Sequence, residues 1–267
     1  MKITASPVKR AAEALDISVI QDKARDPALA DRLRALAPDV AVVVAYGSIL
    51  PAALLEIPDR GFVNLHFSLL PAYRGAAPVQ RAILNGEWVS GASIMVLTEG
   101  MDEGPVIASE ELPIAPEDTT ATYGAKLAEI GADLLVSVLP AYVDGTLSPV
   151  PQDDAGATYA NKLTTDDARI DWSRPQNEVI DLIRALNPEP GAWTQLNGTR
   201  LKVFSASAVG AGDLAPGAIA IDEGRLMVGT GSDPVILDEV QPATKKRMSG
   251  GDLARGLHLA GSERMGE

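Results

Sequence analysis

Residues 61–80 read GFVNLHFSLLPAYRGAAPVQ, and a second block, residues 97–107, reads LTEGMDEGPVI. In an extended segment successive side chains alternate faces, so Asn64 and His66 project to one side while Val63, Leu65 and Phe67 project to the other. The strand runs into Ser68-Leu69-Leu70-Pro71, where Pro71 has no backbone N–H and favours an end to strand pairing. If the strand belongs to a parallel sheet, the polar pair lies near its carboxyl end, where open α/β sheets bind ligands. Spacing alone is equally compatible with a polar strand end capped by turn chemistry.

Working outward, Ser6 before Pro7, with Val8, Ala11, Ala12 and Leu15 as an apolar stripe, predicts a helix over 6–15. Ile17 to Ile20 has the character of a short strand. PALADRLRAL predicts a helix over 27–36 that Pro38 ends, and DVAVVVAY over 39–46 is an apolar run of the kind a fully buried parallel strand shows. A short helix is expected around Pro51 to Leu55. After the organising strand come a helix over about 76–84, strands over 92–97 and 106–112, and a helix from Thr119 to about Tyr142 buried through Leu127, Ile130, Leu134, Leu135 and Val138. Alternating helices and strands imply a parallel-rich sheet covered on both faces.

The character changes near residue 145, where GTLSPVPQDDAGAT reads as a linker. Beyond it a helix is expected over 175–186. Asn197-Gly198, between WTQL and TRLKVF, is a two-residue hairpin signal, and runs at 218–221, 226–228 and 235–240 continue a small, mostly antiparallel barrel.

Composition bounds the function. The 267 residues include 46% apolar side chains, no Cys and only two His, so neither disulfides nor thiolate metal sites contribute and no metal is implied. No apolar window approaches ~18 residues, and a soluble cytoplasmic protein is expected. The net charge of −13 argues against a broad nucleic-acid-binding field. Residues 155–267, with 12 basic and 15 acidic side chains, are far less acidic than residues 1–154, with 11 and 21. Lys245-Lys246-Arg247, Lys9 and Arg10 are candidate phosphate contacts or solvated charges, Arg74 is a candidate anion holder or a salt-bridged residue, and His258 reads as structural or exposed.

The two blocks quoted first resemble the signature of the folate-dependent formyltransferases. The resemblance implies a Rossmann-like catalytic domain over 1–145, a linker over 146–156 and an OB-like β-barrel over 157–267. It implies Asn64, His66 and Asp102 as the catalytic set. It also implies 10-formyltetrahydrofolate as donor, its pteridine in an apolar cleft lined by Tyr46, Gly47, Ile49 and Leu50, by Ser68, Leu69, Leu70 and Pro71, and by the loop from Leu97 to Asp102. Formyl transfer passes through a tetrahedral adduct, so Asn64 through its amide and His66 through a ring N–H would donate to the oxyanion. Asp102 would orient His66 and help move a proton from the attacking amine toward the leaving nitrogen.

ATYANKLTTDDARIDW (157–172), RALNPEPGAW (184–193) and LDEVQPATKKRMSGGDL (237–253) resemble the C-terminal domain of the methionyl-tRNA branch of that family, and SPVKRAAE matches the segment after its tRNA-acceptor loop. The implied partner is initiator methionyl-tRNA, formylated on its α-amine. Sugar N-formyltransferases and formyltetrahydrofolate-hydrolysing enzymes share the triad, and an inactive remnant that holds tRNA through the barrel is a further alternative. Family members begin with a strand, a Gly-containing turn, a helix, a second strand and a basic loop before the segment matching SPVK. Their absence here leads to the expectation that the start is truncated and that 40–44 presents an unpaired, apolar edge.

Overall fold

The computed structural model describes residues 4–259 and 262–266. Helix α1 (Pro7–Ala14) begins where Ser6 stays extended and accepts the Lys9 N–H, and α2 (Pro27–Leu36) begins where Asp26 accepts the Ala28 N–H. Neither helix contains a buried residue. The strand expected at Ile17 to Ile20 does not form; these residues are exposed, and no strand lies alongside to take their backbone groups.

Strands β1 (Ala41–Val44), β2 (Phe62–His66), β3 (Val89–Val96) and β4 (Val106–Pro113) form one sheet in that order, with α3 (Ala52–Leu55) between β1 and β2 and α4 (Pro78–Leu84) between β2 and β3. The sheet is mixed, not parallel-rich as the alternation implied: β1 runs parallel to β2, and β2–β3 and β3–β4 are antiparallel. The reason lies in the connection from β3 to β4. Residues 97–105 carry no helix, and so few residues cannot cross back over a sheet as a parallel return requires. Nor is β1 fully buried. It is the outermost strand, and Val42 and Val44 are 42% and 49% exposed.

Helix α5 (Thr120–Val143) covers the Val63–Leu65 face of the sheet, packing Tyr123 and Leu127 into a core with Val63, Leu65, Ile83, Ile94 and Ile107. Its start is fixed by Thr119, which caps the Thr122 N–H. Beside it Asp118, 2% exposed, takes both oxygens to Lys126 Nζ (2.8 and 2.9 Å) and accepts from the Ala115 N–H and the Thr122 hydroxyl. Burial pushes this carboxyl up, but Lys126 and the two hydrogen bonds outweigh it and hold the pKa below the ordinary value. A depressed folded-state value means that Asp118 contributes stability at pH above the unfolded carboxylate range, lost as pH falls through the folded value. Asp118→Asn is therefore expected to cost about 2 kcal/mol at neutral pH and to flatten the acid limb of a urea-denaturation stability curve.

The second unit contains α6 (Gln176–Ala185) and an antiparallel sheet built from β5 (Ala192–Leu196), β6 (Thr199–Ala208), β7 (Ile219–Asp222), β8 (Arg225–Val228), β9 (Val235–Pro242) and β10 (Met248–Ser249), followed by α7 (Gly250–Leu257). The order is β5-β6-β9-β8-β7, with β10 on β9. Asn197 and Gly198 turn the β5–β6 hairpin with φ of 51° and 71°, the left-handed pair that such a two-residue loop needs. Arg264 to Gly266 then bridges both free edges: Met265 and Gly266 bond to Gly217 and Gln195, joining the β7 side to β5. The sheet thereby closes into the expected barrel around Val203, Leu226, Val228, Val235 and Val240, all fully buried. His258 ends α7 as an exposed left-handed cap.

The two units share packing. Ala185 of α6 is buried in the first core, the Thr120 hydroxyl donates to its carbonyl (2.5 Å), and Arg184 donates to the carbonyls of Ala115 and Asp118. Among the described residues no helix is long and apolar enough to cross a membrane.

Candidate active site

Asn64 and His66 lie on the face of β2 that α5 does not cover. His66 is 6% exposed, and its Nε2 lies 2.9 Å from the Tyr73 carbonyl. A carbonyl only accepts, so Nε2 carries a hydrogen and donates it there. Nδ1 is left facing the Asp102 carboxylate, 3.7 Å away. That is too far for a direct hydrogen bond and close enough for an ion pair when the ring is protonated. The side chain of Asn64 makes no hydrogen bond within the described residues, so its amide is uncommitted.

Asp102 reaches His66 because the 97–105 loop, which leaves β3 where Val96 pairs with Val63, folds back across this face. The Gly75 N–H donates to its Oδ2 (2.8 Å), and its backbone is left-handed, with φ of 54°. Gly104 closes the loop against β3. A Cβ at this position would sit 1.8 Å from the Val96 carbonyl oxygen, so no other residue fits without moving the backbone.

The Ser68–Pro71 turn is fixed by Ser93, which pairs with His66 across β2 and β3 and is fully buried. Its hydroxyl donates to the Ser68 carbonyl (2.7 Å) and accepts from the Leu70 N–H (3.1 Å). With that one hydrogen used, Ser109, 2.8 Å away, is the donor of their shared bond. Ser68 itself donates to the Ala72 carbonyl. Tyr73 then anchors the chain: its N–H bonds to Thr158, and its phenol donates to Glu87 while accepting from Asn85. Burial and then Glu87 push that phenol up to about 12, so at neutral pH it stays protonated as a structural donor.

Of the residues named as a donor cleft, Tyr46, Gly47 and Ile49 are exposed, Leu50 and Leu69 to Pro71 are half-buried and Ser68 is buried. Tyr46 is 46% exposed and is not packed into the core. Val44 pairs with Leu65, so the chain leaves β1 level with His66, and both segments follow the carboxyl ends of the parallel pair. Arg74 is buried, with Asp154 as its ion pair at 3.0 Å; burial works against its charge, but Asp154 and Tyr159 outweigh that and raise its pKa. It is occupied within the fold and is not an anion holder. Lys9 is likewise engaged, by Gln21 and Glu13. Two surface cavities of about 360 and 480 Å³, one beside Arg34, Glu56 and Asp59, the other beside Arg169, Trp172 and Arg264, share no residue with this cluster.

Residues 2–139 match the formyl transferase family model, and residues 162–258 match the model of the formyl transferase C-terminal domain. The chain belongs to the formyl transferase family. It is 45% identical over 268 residues to the methionyl-tRNA formyltransferase of Streptomyces coelicolor and 46% identical over 268 to that of Thermobifida fusca, covering all of this chain and 86% of each relative. Among solved structures it resembles WlaRD, a sugar 3N-formyl transferase, with a TM-score of 0.66 at 18% identity over 90% of this chain and 82% of that one. It also resembles HypX from Aquifex aeolicus, with a TM-score of 0.68 at 18% identity over 86% of this chain, though it spans only 41% of that protein. At such identities the likeness is one of fold.

For a formyl transferase the geometry restricts which atoms can act. The resemblance implied a ring N–H of His66 directed toward an oxyanion; Nε2–H is spent on Tyr73, so only Nδ1 remains, and it donates only when the ring is doubly protonated. In the neutral ring Nδ1 is a base. Ser93, Thr158 and Gln152, which hold this face together, escaped the sequence reading. Ser93 carried a usable signal, a polar residue inside the apolar run GASIMV, whereas Thr158 and Gln152 sit in a stretch whose composition says only linker. Among the described residues no group of three or more His, Cys, Asp or Glu could hold a metal ion.

Proposed function

We propose that this formyl transferase moves the formyl group of 10-formyltetrahydrofolate to the α-amino group of methionine on initiator tRNA, in the cytoplasm, with Asn64, His66 and Asp102 carrying the chemistry. The observation that carries the acceptor is the 45% identity to a methionyl-tRNA formyltransferase along the whole chain, barrel included. A folate donor is supported by two neighbours of the same fold, HypX with tetrahydrofolic acid and WlaRD with 5-N-formyl-THF. The donor would lie along the segments after β1 and β2, with its formyl carbon over Asn64 and His66.

The amine nitrogen attacks the formyl carbon and the Asn64 amide donates to the oxyanion, the interaction whose loss typically costs most. Nδ1 of His66 takes the proton from the attacking nitrogen, Asp102 balances the imidazolium, and the same proton passes to N10 of the folate as the carbon–N10 bond breaks. Near pH 7 to 8 a useful fraction of an α-amine is already neutral, with its pKa at ~7.7–8.0, so the nucleophile needs little activation.

Support for an RNA partner, despite the acidic whole, comes from cationic side chains of the barrel. The Arg200 guanidinium stacks over Trp193 at 4.0 Å with Arg169 nearby at 5.8 Å, and Arg247 stacks over Phe204 at 3.5 Å. Trp193 pairs with Lys202 across β5 and β6, and Lys245 and Lys246 stand exposed in the turn between β9 and β10. Arg247 also pairs with Glu239, which discounts its share.

The test is competition. Labelled formyl donor is offered with methionyl initiator tRNA, free methionine and a nucleotide-linked aminosugar; label is expected on the tRNA, with a rate that falls steeply as salt rises. Label on the sugar and none on tRNA would overturn the proposal.

A further inference from the structure

We propose that Gln152, in the segment joining the two units, is a positioning residue for Asp102, a role that rests on reading His66 and Asp102 as the working pair. Asp102 is in a left-handed conformation, which costs an L-residue energy, though less for Asp than for most, and which its contacts must hold. Among the described residues its carboxylate accepts one hydrogen bond, from the Gly75 N–H, which holds the side chain and not the backbone of the loop at Asp102. The loop backbone at Asp102 and Gly104 is held from the connection between the units. The Nε2 amide of Gln152 bonds to the carbonyl of Asp102 at 2.8 Å and to that of Gly104 at 2.7 Å, one hydrogen to each.

The opposite end of the same amide is also committed. Oε1 accepts from Arg74 Nε at 3.0 Å, and Arg74 is 2% exposed and tied through Nη2 to Asp154. The orientation of the amide is therefore determined. Turned over, it would set oxygen against two carbonyls and NH₂ against an Arg donor, losing every bond at once. Arg74 sits beside Tyr73, whose carbonyl fixes His66, so one stretch of chain supports both members of the pair.

The segment around Gln152 is itself bound to the first unit. Val150 bridges Val106, the Thr158 carbonyl takes the Arg74 N–H, and the Thr158 hydroxyl takes the Tyr73 N–H. Both His66 and Asp102 are thus set by residues of the connection, Thr158 through the Tyr73 backbone and Gln152 through the Asp102 backbone. Losing Gln152 would let the carboxylate drift from Nδ1, and misplacement by about 1 Å costs on the order of 10²-fold in rate.

A double-mutant cycle tests this. Single-turnover formyl transfer at saturating donor, donor KM and melting temperature are measured for Gln152→Ala, Asp102→Asn and the combined variant. Gln152→Ala is expected to lower the rate by about 10- to 100-fold with donor KM nearly unchanged, the signature of an effect on the chemical step. In the Asp102→Asn background the same substitution is expected to change the rate less than about twofold, since its target is already gone. An equal loss in both backgrounds would overturn the proposal while leaving the site intact. An Asp102→Asn protein as fast as wild type would instead overturn the reading of the site. Should Gln152→Ala not fold, Gln152→Glu carries the same test: it keeps an acceptor for Arg74 but turns an oxygen toward the two carbonyls, and a rate equal to wild type would refute the role.

Discussion

Replacement of His66 by alanine is expected to slow formyl transfer by about 10²–10⁴-fold, the range that a positioned acid–base group supplies. Its Nε2 is committed to Tyr73 and its Nδ1 faces Asp102, so no other ring on the chain can take over; the second histidine, His258, is an exposed cap at the end of α7. Donor affinity should be nearly intact, because the expected folate surface is made by the segments after β1 and β2 and not by this ring. The variant is checked by single-turnover transfer together with equilibrium binding of the donor. A large loss of donor affinity with little loss of rate per bound donor would make His66 a packing residue, a role that its 6% exposure would then explain.

The second large effect is expected at Asn64, where substitution by alanine should cost about 10²–10³-fold in rate, the loss typical of removing one oxyanion donor. What makes this substitution informative is its expected silence in the fold. The Asn64 amide has no hydrogen-bond partner among the described residues, so its removal orphans nothing and should shift stability by less than about 1 kcal/mol. Urea denaturation and single-turnover kinetics on the same preparation separate the two. A loss of stability in proportion to the loss of rate would mean that the amide serves the structure; a fast Asn64→Ala protein would remove it from the chemistry.

How much of this was legible in the sequence depended on whether a signal was local. The alternation of Asn64 and His66 on one strand, the Asn197-Gly198 hairpin and the Thr119 start of α5 are consequences of backbone geometry over a few residues, and each appears where the residues place it. Strand direction is not local. The apolar runs at 92–97 and 106–112 read equally well in either orientation, and only the short connection between them, with no helix, argued for the antiparallel pairing that forms. Burial of β1 failed for a related reason: AVVV tells of apolar surface but not of how many neighbours stand beside it.

At the site, the residues proposed to do chemistry were visible from their motif, and the residues that hold them were not. Gln152 and Thr158 lie in a stretch whose Gly, Pro and Asp content describes a connector, and their value comes from partners 50 and 85 positions earlier in the chain, respectively. Arg74 is a different case: the sequence left it as an anion holder or a salt-bridged residue, and its burial against Asp154 decides for the second.

Nitrogen-15 NMR of the imidazole of His66 tests the central claim most directly, that one ring nitrogen is committed to structure and the other left for the proton. With only two histidines, comparison with His258→Ala assigns the ring. Nε2 should stay protonated across the pH range in which transfer occurs, with Nδ1 alone gaining and losing its hydrogen. A ring whose neutral form carries its hydrogen on Nδ1, with Nε2 bare, would contradict it.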